Sequence, residues 1–246
     1  MYKAIETNNN TTMQNYYKTI GALVVASAFA ASNASAEIES EIHAGYTSEY
    51  LFRGLNLGQD LVETGVDLST EYNGFGLSAG AWYGSFSDST GASFDELDLY
   101  GDVSKDLGFA TASVGYIYYA YLGTAGADAQ EVKFALAKSF YGVDFSLAWF
   151  WDIDLDNDGY TELAASKGFE LSPCLTLSTS AVLGYLAEQS EFAHVTAKVA
   201  LDYAYSETAT ISPFVAHSWS LTNEAGSTHA NTDNELVAGT MLSVTF

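Results

Sequence analysis

The sequence predicts an all-β fold, an antiparallel transmembrane β-barrel of about twelve strands. Two observations carry that prediction. Beyond residue 36 the chain alternates apolar and polar side chains in stretches of roughly ten residues, the length a tilted strand needs to cross a bilayer. The connections alternate as well. Tight turns fall at Asn73-Gly74, Asp106-Leu107-Gly108, Tyr141-Gly142, Ser172-Pro173 and Ser206-Glu207, and more open connections fall near 54–60, 87–93, 123–129, 153–159, 187–191 and 221–233. A barrel with short periplasmic turns and longer outside loops has this rhythm; a soluble sandwich has no reason to sort its loops by parity.

Taken in order, residues 1–36 read as a secretory signal and residues 37–246 as the barrel. Lys18 precedes the apolar run Ile20 to Ala31, and Ala34-Ser35-Ala36 offers a small-x-small cleavage pattern. That run is too short for a spanning helix, so insertion must be by strands. Bulk composition agrees: 48% of residues are apolar and 14% aromatic, while the net charge is −23. So acidic a chain could not neutralise phosphates, which excludes nucleic acid as a partner. The single cysteine, Cys174, excludes an internal disulfide.

The strands follow by parity. From 61, Val62, Thr64, Val66 and Leu68 oppose Glu63, Gly65, Asp67 and Ser69. From 94, Leu97, Leu99, Gly101 and Val103 oppose Glu96, Asp98, Tyr100, Asp102 and Ser104. Segments 142–152 and 194–203 repeat the pattern, so one face meets lipid and the other water. In Phe109 to Leu122 both faces are apolar or aromatic, and the inside cannot be assigned. Pro213 falls inside a strand and should mark a bulge or a shifted start. Lys105, Lys138 and Lys167 fall on the lipid-facing parity at periplasmic strand ends, where long stems can snorkel to headgroups. Aromatics at strand ends, Tyr50, Phe52, Tyr83, Trp151, Tyr185 and Trp219 outside and Tyr72, Phe75, Phe109, Tyr203 and Phe246 inside, would form two girdles. The last strand places Leu236, Ala238, Thr240, Leu242, Val244 and Phe246 on one face. Its aromatic end is similar to the signal by which the barrel-assembly machinery recognises outer-membrane strands, so Phe246 is the candidate assembly residue.

The segment Ala44-Gly45-Tyr46-Thr47-Ser48-Glu49-Tyr50-Leu51-Phe52-Arg53-Gly54-Leu55-Asn56 resembles the opening signature of the TorF family of porin-like outer-membrane barrels. Asp156-Asn157-Asp158-Gly159-Tyr160-Thr161-Glu162-Leu163 resembles such proteins more loosely. The resemblance implies a porin and says little about its substrate.

Candidate site residues come from the polar face. Arg53 is the only arginine; by parity it points inward with Glu41, His43, Thr47 and Glu49, as a constriction charge, a substrate clamp or half of a structural ion pair. Parity also sends Glu63, Asp67, Glu96, Asp98, Asp102, Glu131, Asp144 and Asp202 inward, against Lys133 and Lys198. Rings of one sign select counter-ions, so an open lumen would prefer cations or small neutral solutes, whereas side chains filling it would leave a hydrated acidic interior that conducts little. In the 152–159 loop, Asp154, Asp156 and Asp158 followed by Gly159 match the first positions of a calcium loop. Ala165 stands where the bidentate Glu is required. A solvated acidic loop and a weak Ca²⁺ or Mg²⁺ site are therefore both open, and no other cofactor is expected. The expected surroundings are outer-membrane lipid and, if outer loops bridge divalent ions, lipopolysaccharide. Catalysis finds no constellation: His43, His194, His217 and His229 are scattered, and the neighbours His217 and Ser218 must face opposite ways in a strand.

Overall fold

A computed structural model describes residues 38–123, 128–154, 159–222 and 234–246. Residues 1–36, read above as a secretory signal, and Asp156, Asp158 and His229 lie outside these residues. Twelve strands follow in order: β1 (Glu39–Phe52), β2 (Leu55–Tyr72), β3 (Phe75–Ser87), β4 (Ser93–Asp106), β5 (Thr111–Leu122), β6 (Ala129–Phe140), β7 (Val143–Asp152), β8 (Tyr160–Ser172), β9 (Leu175–Leu186), β10 (Glu191–Ala204), β11 (Ala209–Ser220) and β12 (Glu235–Thr245). Each pairs antiparallel with its neighbours in sequence, and β1 pairs with β12 from Glu41 opposite Thr245 to Thr47 opposite Gly239. Closure leaves no unpaired edge, which a bilayer requires.

The burial pattern is that of a membrane barrel, inverted relative to a soluble protein. Val62, Val66, Leu68, Leu99, Val103, Phe145, Leu147, Trp149, Val199 and Leu201 are exposed on the outside, while Glu63, Glu96, Asp102, Ser146 and Thr196 are buried inside. The undecided strand resolves as well. In β5, Ser113, Ile117 and Tyr119 face inward, and Val114 and Tyr116 face out. Lys105 and Lys167 lie on the outer surface with their ammonium groups over Phe75 and Phe169, at 3.9 Å and 5.4 Å from the ring centroids. Among the described residues no helix is long and apolar enough to cross a membrane.

Three local expectations are corrected. Pro213 causes neither a bulge nor a shift: it pairs in register with Thr240, and the ladder to β10 lapses beside it and resumes unchanged at Ile211 opposite Tyr203. A missing N–H removes bonds without requiring an extra residue. The first outer connection is not an open loop over 54–60. Phe52 pairs with Leu55 across the two-residue turn Arg53-Gly54, where both φ angles are positive, 51° and 82°. Such turns match the twist of the flanking strands, and Asn73-Gly74 and Tyr141-Gly142 are built the same way. Finally, Tyr50 and Phe52 do not join the outer girdle. The ladder shifts register at Tyr50/Leu51 and again between Gln59 and Val62, where Asp60 has φ 55°. Bulges bend a strand and turn its side chains, and these two lie at similar height on the two arms of one hairpin. The tip therefore folds over the lumen, carrying its apolar side chains into an interior core.

Candidate functional site

The bent β1–β2 hairpin forms the cap of the barrel interior. Tyr50 packs against Trp82 and Phe86, with ring centroids 5.6 Å and 4.9 Å away, and Phe52 meets Tyr119 of β5 edge-on at 6.1 Å. Arg53, at the tip, reaches across the lumen to β6. Its Nη1 donates to Glu131 Oε1 at 2.7 Å and its Nη2 to Oε2 at 2.6 Å. Tyr119 Oη also donates to Glu131, at 2.8 Å. The guanidinium carbon lies 4.8, 4.6 and 4.5 Å from the ring centroids of Phe52, Phe150 and Tyr160. Planar charge delocalisation suits arginine to a bidentate, ring-lined socket where lysine would not serve. Gly54 completes the fit: a Cβ there would come within 2.5 Å of the His194 ring on β10. The hairpin thus touches strands on the far side of the barrel. Phe150 is only 1% exposed, and the outer half of the lumen is packed in this conformation.

Below and beside the cap lies an acidic wall in which most carboxylates meet a named donor. Trp82 Nε1 donates to Glu63 at 2.8 Å, Tyr100 Oη to Asp67 at 2.7 Å, and Ser178 Oγ to Asp202 at 2.5 Å. Lys133, fully buried, pairs with Asp102 at 2.6 Å. Glu96 and Asp98 stand two apart on the inward face of β4, with Tyr50 close to Glu96. Glu49 lies beside Glu235. Lys198 sits 4.0 Å above the Phe214 ring. Asp144 is the outlier of the candidate set: it faces inward but stands at the start of β7, beside the Tyr141-Gly142 turn, accepting a hydrogen bond from Ser139, and so lines one mouth of the barrel rather than a constriction.

Two histidines are buried inside, in contrasting states. His194 is satisfied on both ring nitrogens, by Tyr160 Oη at 2.9 Å and Thr196 Oγ1 at 2.8 Å, and Thr196 donates onward to Ser218 at 2.8 Å. His43 has no hydrogen-bond partner on either nitrogen. His217 and Ser218 face opposite sides, His217 packing on Trp219 outside at 4.4 Å while Ser218 is buried, so they cannot act as base and nucleophile.

At the outer rim, tyrosine hydroxyls donate to acidic groups: Tyr46 to Asp60 at 2.6 Å, Tyr83 to Asp95 at 3.0 Å, and Tyr118 to Asp128. Asp154 accepts from Gln130 Nε2 at 3.2 and 3.0 Å, and its amide donates to Asp152. Phe246 is 72% exposed on the outer face, and its backbone closes the barrel through its N–H to Ser40 O at 2.9 Å. Sequence reasoning missed Tyr119, Phe150, Tyr160 and His194 as parts of the cap socket. The available signal was the apolar turn Leu51-Phe52-Arg53-Gly54-Leu55, too hydrophobic for a solvated tip.

A family model described as a bacterial protein of unknown function (Gcw_chp) matches residues 30–194. No protein of curated function matches the sequence. Among solved structures, the fold is similar to the COG4313 outer membrane channel from Pseudomonas putida F1, with 10% identity over 91% of this chain and 100% of that one, at a TM-score of 0.53. It is also similar to the KdgM porin, with 8% identity over 85% of this chain and 99% of that one, at 0.51. At such identities the likeness is one of fold.

Proposed function

The chain belongs to the Gcw_chp family, and from that premise we propose that it is an outer-membrane channel for passive diffusion of small solutes, preferring cations, exported by its 1–36 segment. The carrying observation is the charge balance of the interior. Arg53 is spent on Glu131, Lys133 on Asp102, and Lys198 stands near Glu63, whereas Glu41, Glu49, Asp67, Glu96, Asp98 and Asp202 line the same wall. Acidic groups outnumber basic ones on that wall, which favours a permeating cation. The hairpin covers the outer half, so conduction requires its displacement, and the Arg53–Glu131 pair is the contact that must break. The 44–56 segment that resembles the TorF family forms this hairpin, which supports placing the protein near those porins. Phe246 would serve the assembly machinery and the Lys105, Lys138 and Lys167 belt the inner-leaflet lipid.

A second reading is favoured by the packing around Phe150 and Lys133: a barrel that does not conduct and acts through its acidic outer loops, toward divalent ions or lipopolysaccharide. Conductance of the refolded protein in a planar bilayer under a salt gradient separates the two. Discrete steps reversing on the cation side support the channel; a silent barrel with heat-modifiable gel mobility supports the second reading and overturns the first.

A further inference from the structure

We propose that the periplasmic half of the barrel wall holds a binding site for one first-row divalent transition-metal ion, formed by Glu41, His43 and Asp67. The register builds it. Glu41 and His43 stand two apart on the inward face of β1, and Asp67 lies directly opposite Glu41 on β2. His43 Nδ1 is 3.8 Å from Glu41 Oε1 and 3.5 Å from Asp67 Oδ2. These separations are too long for hydrogen bonds. They are close to the ~3.4 Å that separates two ligands of one tetrahedral ion with bonds of about 2.1 Å.

The histidine supplies the independent argument. His43 is 1% exposed, and neither ring nitrogen has a hydrogen-bond partner, whereas buried polar groups are almost always satisfied. His194, equally buried, satisfies both of its nitrogens with protein groups. The His43 ring is also held in place rather than left to search for a partner. It lies against Gly65, its cross-strand neighbour, where a Cβ would come within 2.4 Å of Cε1. Asp67 is fixed from behind, since Tyr100 donates to its other oxygen at 2.7 Å, the outer support that metal-ligating carboxylates ordinarily have. Two carboxylates and a neutral imidazole balance a divalent charge. The imidazole selects a borderline ion such as Zn²⁺ over Mg²⁺ or Ca²⁺, which prefer oxygen alone.

The site does not rest on the channel reading, since a silent barrel can bind metal equally well. The test is calorimetric titration of the refolded full-length protein in detergent with Zn²⁺ at neutral pH. The expected result is one Zn²⁺ per barrel, weakened about tenfold or more in His43→Asn and in Asp67→Asn, with heat-modifiable mobility kept in both. Absence of stoichiometric uptake, or equal affinity in His43→Asn, overturns the site. Should the variants fail to fold, X-ray absorption of the Zn²⁺-loaded wild-type protein decides. One imidazole in an otherwise oxygen shell supports the assignment, and a shell without imidazole scattering refutes it.

Discussion

Replacing Arg53 by alanine should open the barrel. The guanidinium and the Glu131 carboxylate are 11% and 9% exposed and joined by two bonds of 2.7 and 2.6 Å. Removing one partner of such a pair costs about 3–5 kcal/mol, because the other charge stays buried without its counter-ion. Glu131 keeps only the Tyr119 hydroxyl. That cost falls on the capped conformation alone, since with the hairpin displaced both groups can reach water. At 1.4 kcal/mol per decade, the ratio of uncapped to capped barrel should rise by about two to three and a half orders of magnitude. The assay is open probability in planar bilayers, with solute-driven liposome swelling as the ensemble counterpart. The double variant Arg53→Met/Glu131→Leu is the control that makes the reasoning falsifiable. Apolar replacements of a buried pair are close to neutral, so the double variant should close again, although it carries fewer charges than either single variant. If Arg53→Ala conducts as the wild type does while retaining heat-modifiable mobility, the pair does not hold the cap. If the double variant is as open as Arg53→Ala, the effect is loss of the arginine's bulk and not an exposed imbalance of charge.

Three further outcomes follow from the same geometry. Asp102→Asn should destabilise the barrel by up to about 3–5 kcal/mol, because Lys133 loses a buried ion pair of 2.6 Å, as a lowered thermal midpoint in detergent would register. Phe246→Ala should reduce the amount of protein assembled in the outer membrane without altering the β1 ladder, whose bonds to residue 246 are backbone ones; normal levels on quantitative blotting would refute a terminal signal. In the exposed 88–92 turn, the Thr90 hydroxyl and the amides of Thr90 and Ala92 hold the Asp88 carboxyl below the ordinary 3.8. A depressed carboxylate stabilises its turn above that value and loses the effect as pH falls through its own pKa. NMR titration of Asp88 should show the midpoint moving up in Thr90→Ala, and no movement would deny the hydroxyl its role.

The wall of the barrel was legible because its information is local. Period-two alternation in β4, β7 and β10 needs only the residues themselves, and two-residue turns such as Asn73-Gly74 announce their positive φ angles. The TorF-like hairpin was misread as an open loop because parity counting assumes an unbroken ladder. One register shift at Tyr50/Leu51 turns every later side chain of that arm, and neither Leu51 nor Asp60 advertises a bulge. Glu63, Glu96, Asp102, Glu131, Lys133 and Lys198 are buried, but parity gave none of their pairings. Arg53 and Glu131 lie 78 residues apart, and only barrel closure together with the bend brings them within reach. The metal triad was half visible, as Glu41 and His43 share a face by spacing, but Asp67 joins them only through the register of β1 against β2.

The cap and the wall also explain how so acidic an interior can be aromatic. A buried carboxylate needs donors more than it needs cations, and the chain has only eight basic residues, against 17 tyrosines and four tryptophans. Inside the barrel Trp82, Tyr100 and Tyr119 each present a ring to the apolar packing and a polar edge to Glu63, Asp67 and Glu131. Each such pair stabilises a negative charge without cancelling it. A lysine at the same place would neutralise the wall, and a leucine would leave the carboxylate unsatisfied. Aromatic donors do neither, so the lumen can be densely packed around its carboxylates. The outer rim repeats the device in Tyr46–Asp60, Tyr83–Asp95 and Tyr118–Asp128, with the ring against lipid and the hydroxyl on an acid. The tyrosines therefore serve two surfaces by one chemistry, and the acidic charge remains available at the mouth and along the wall.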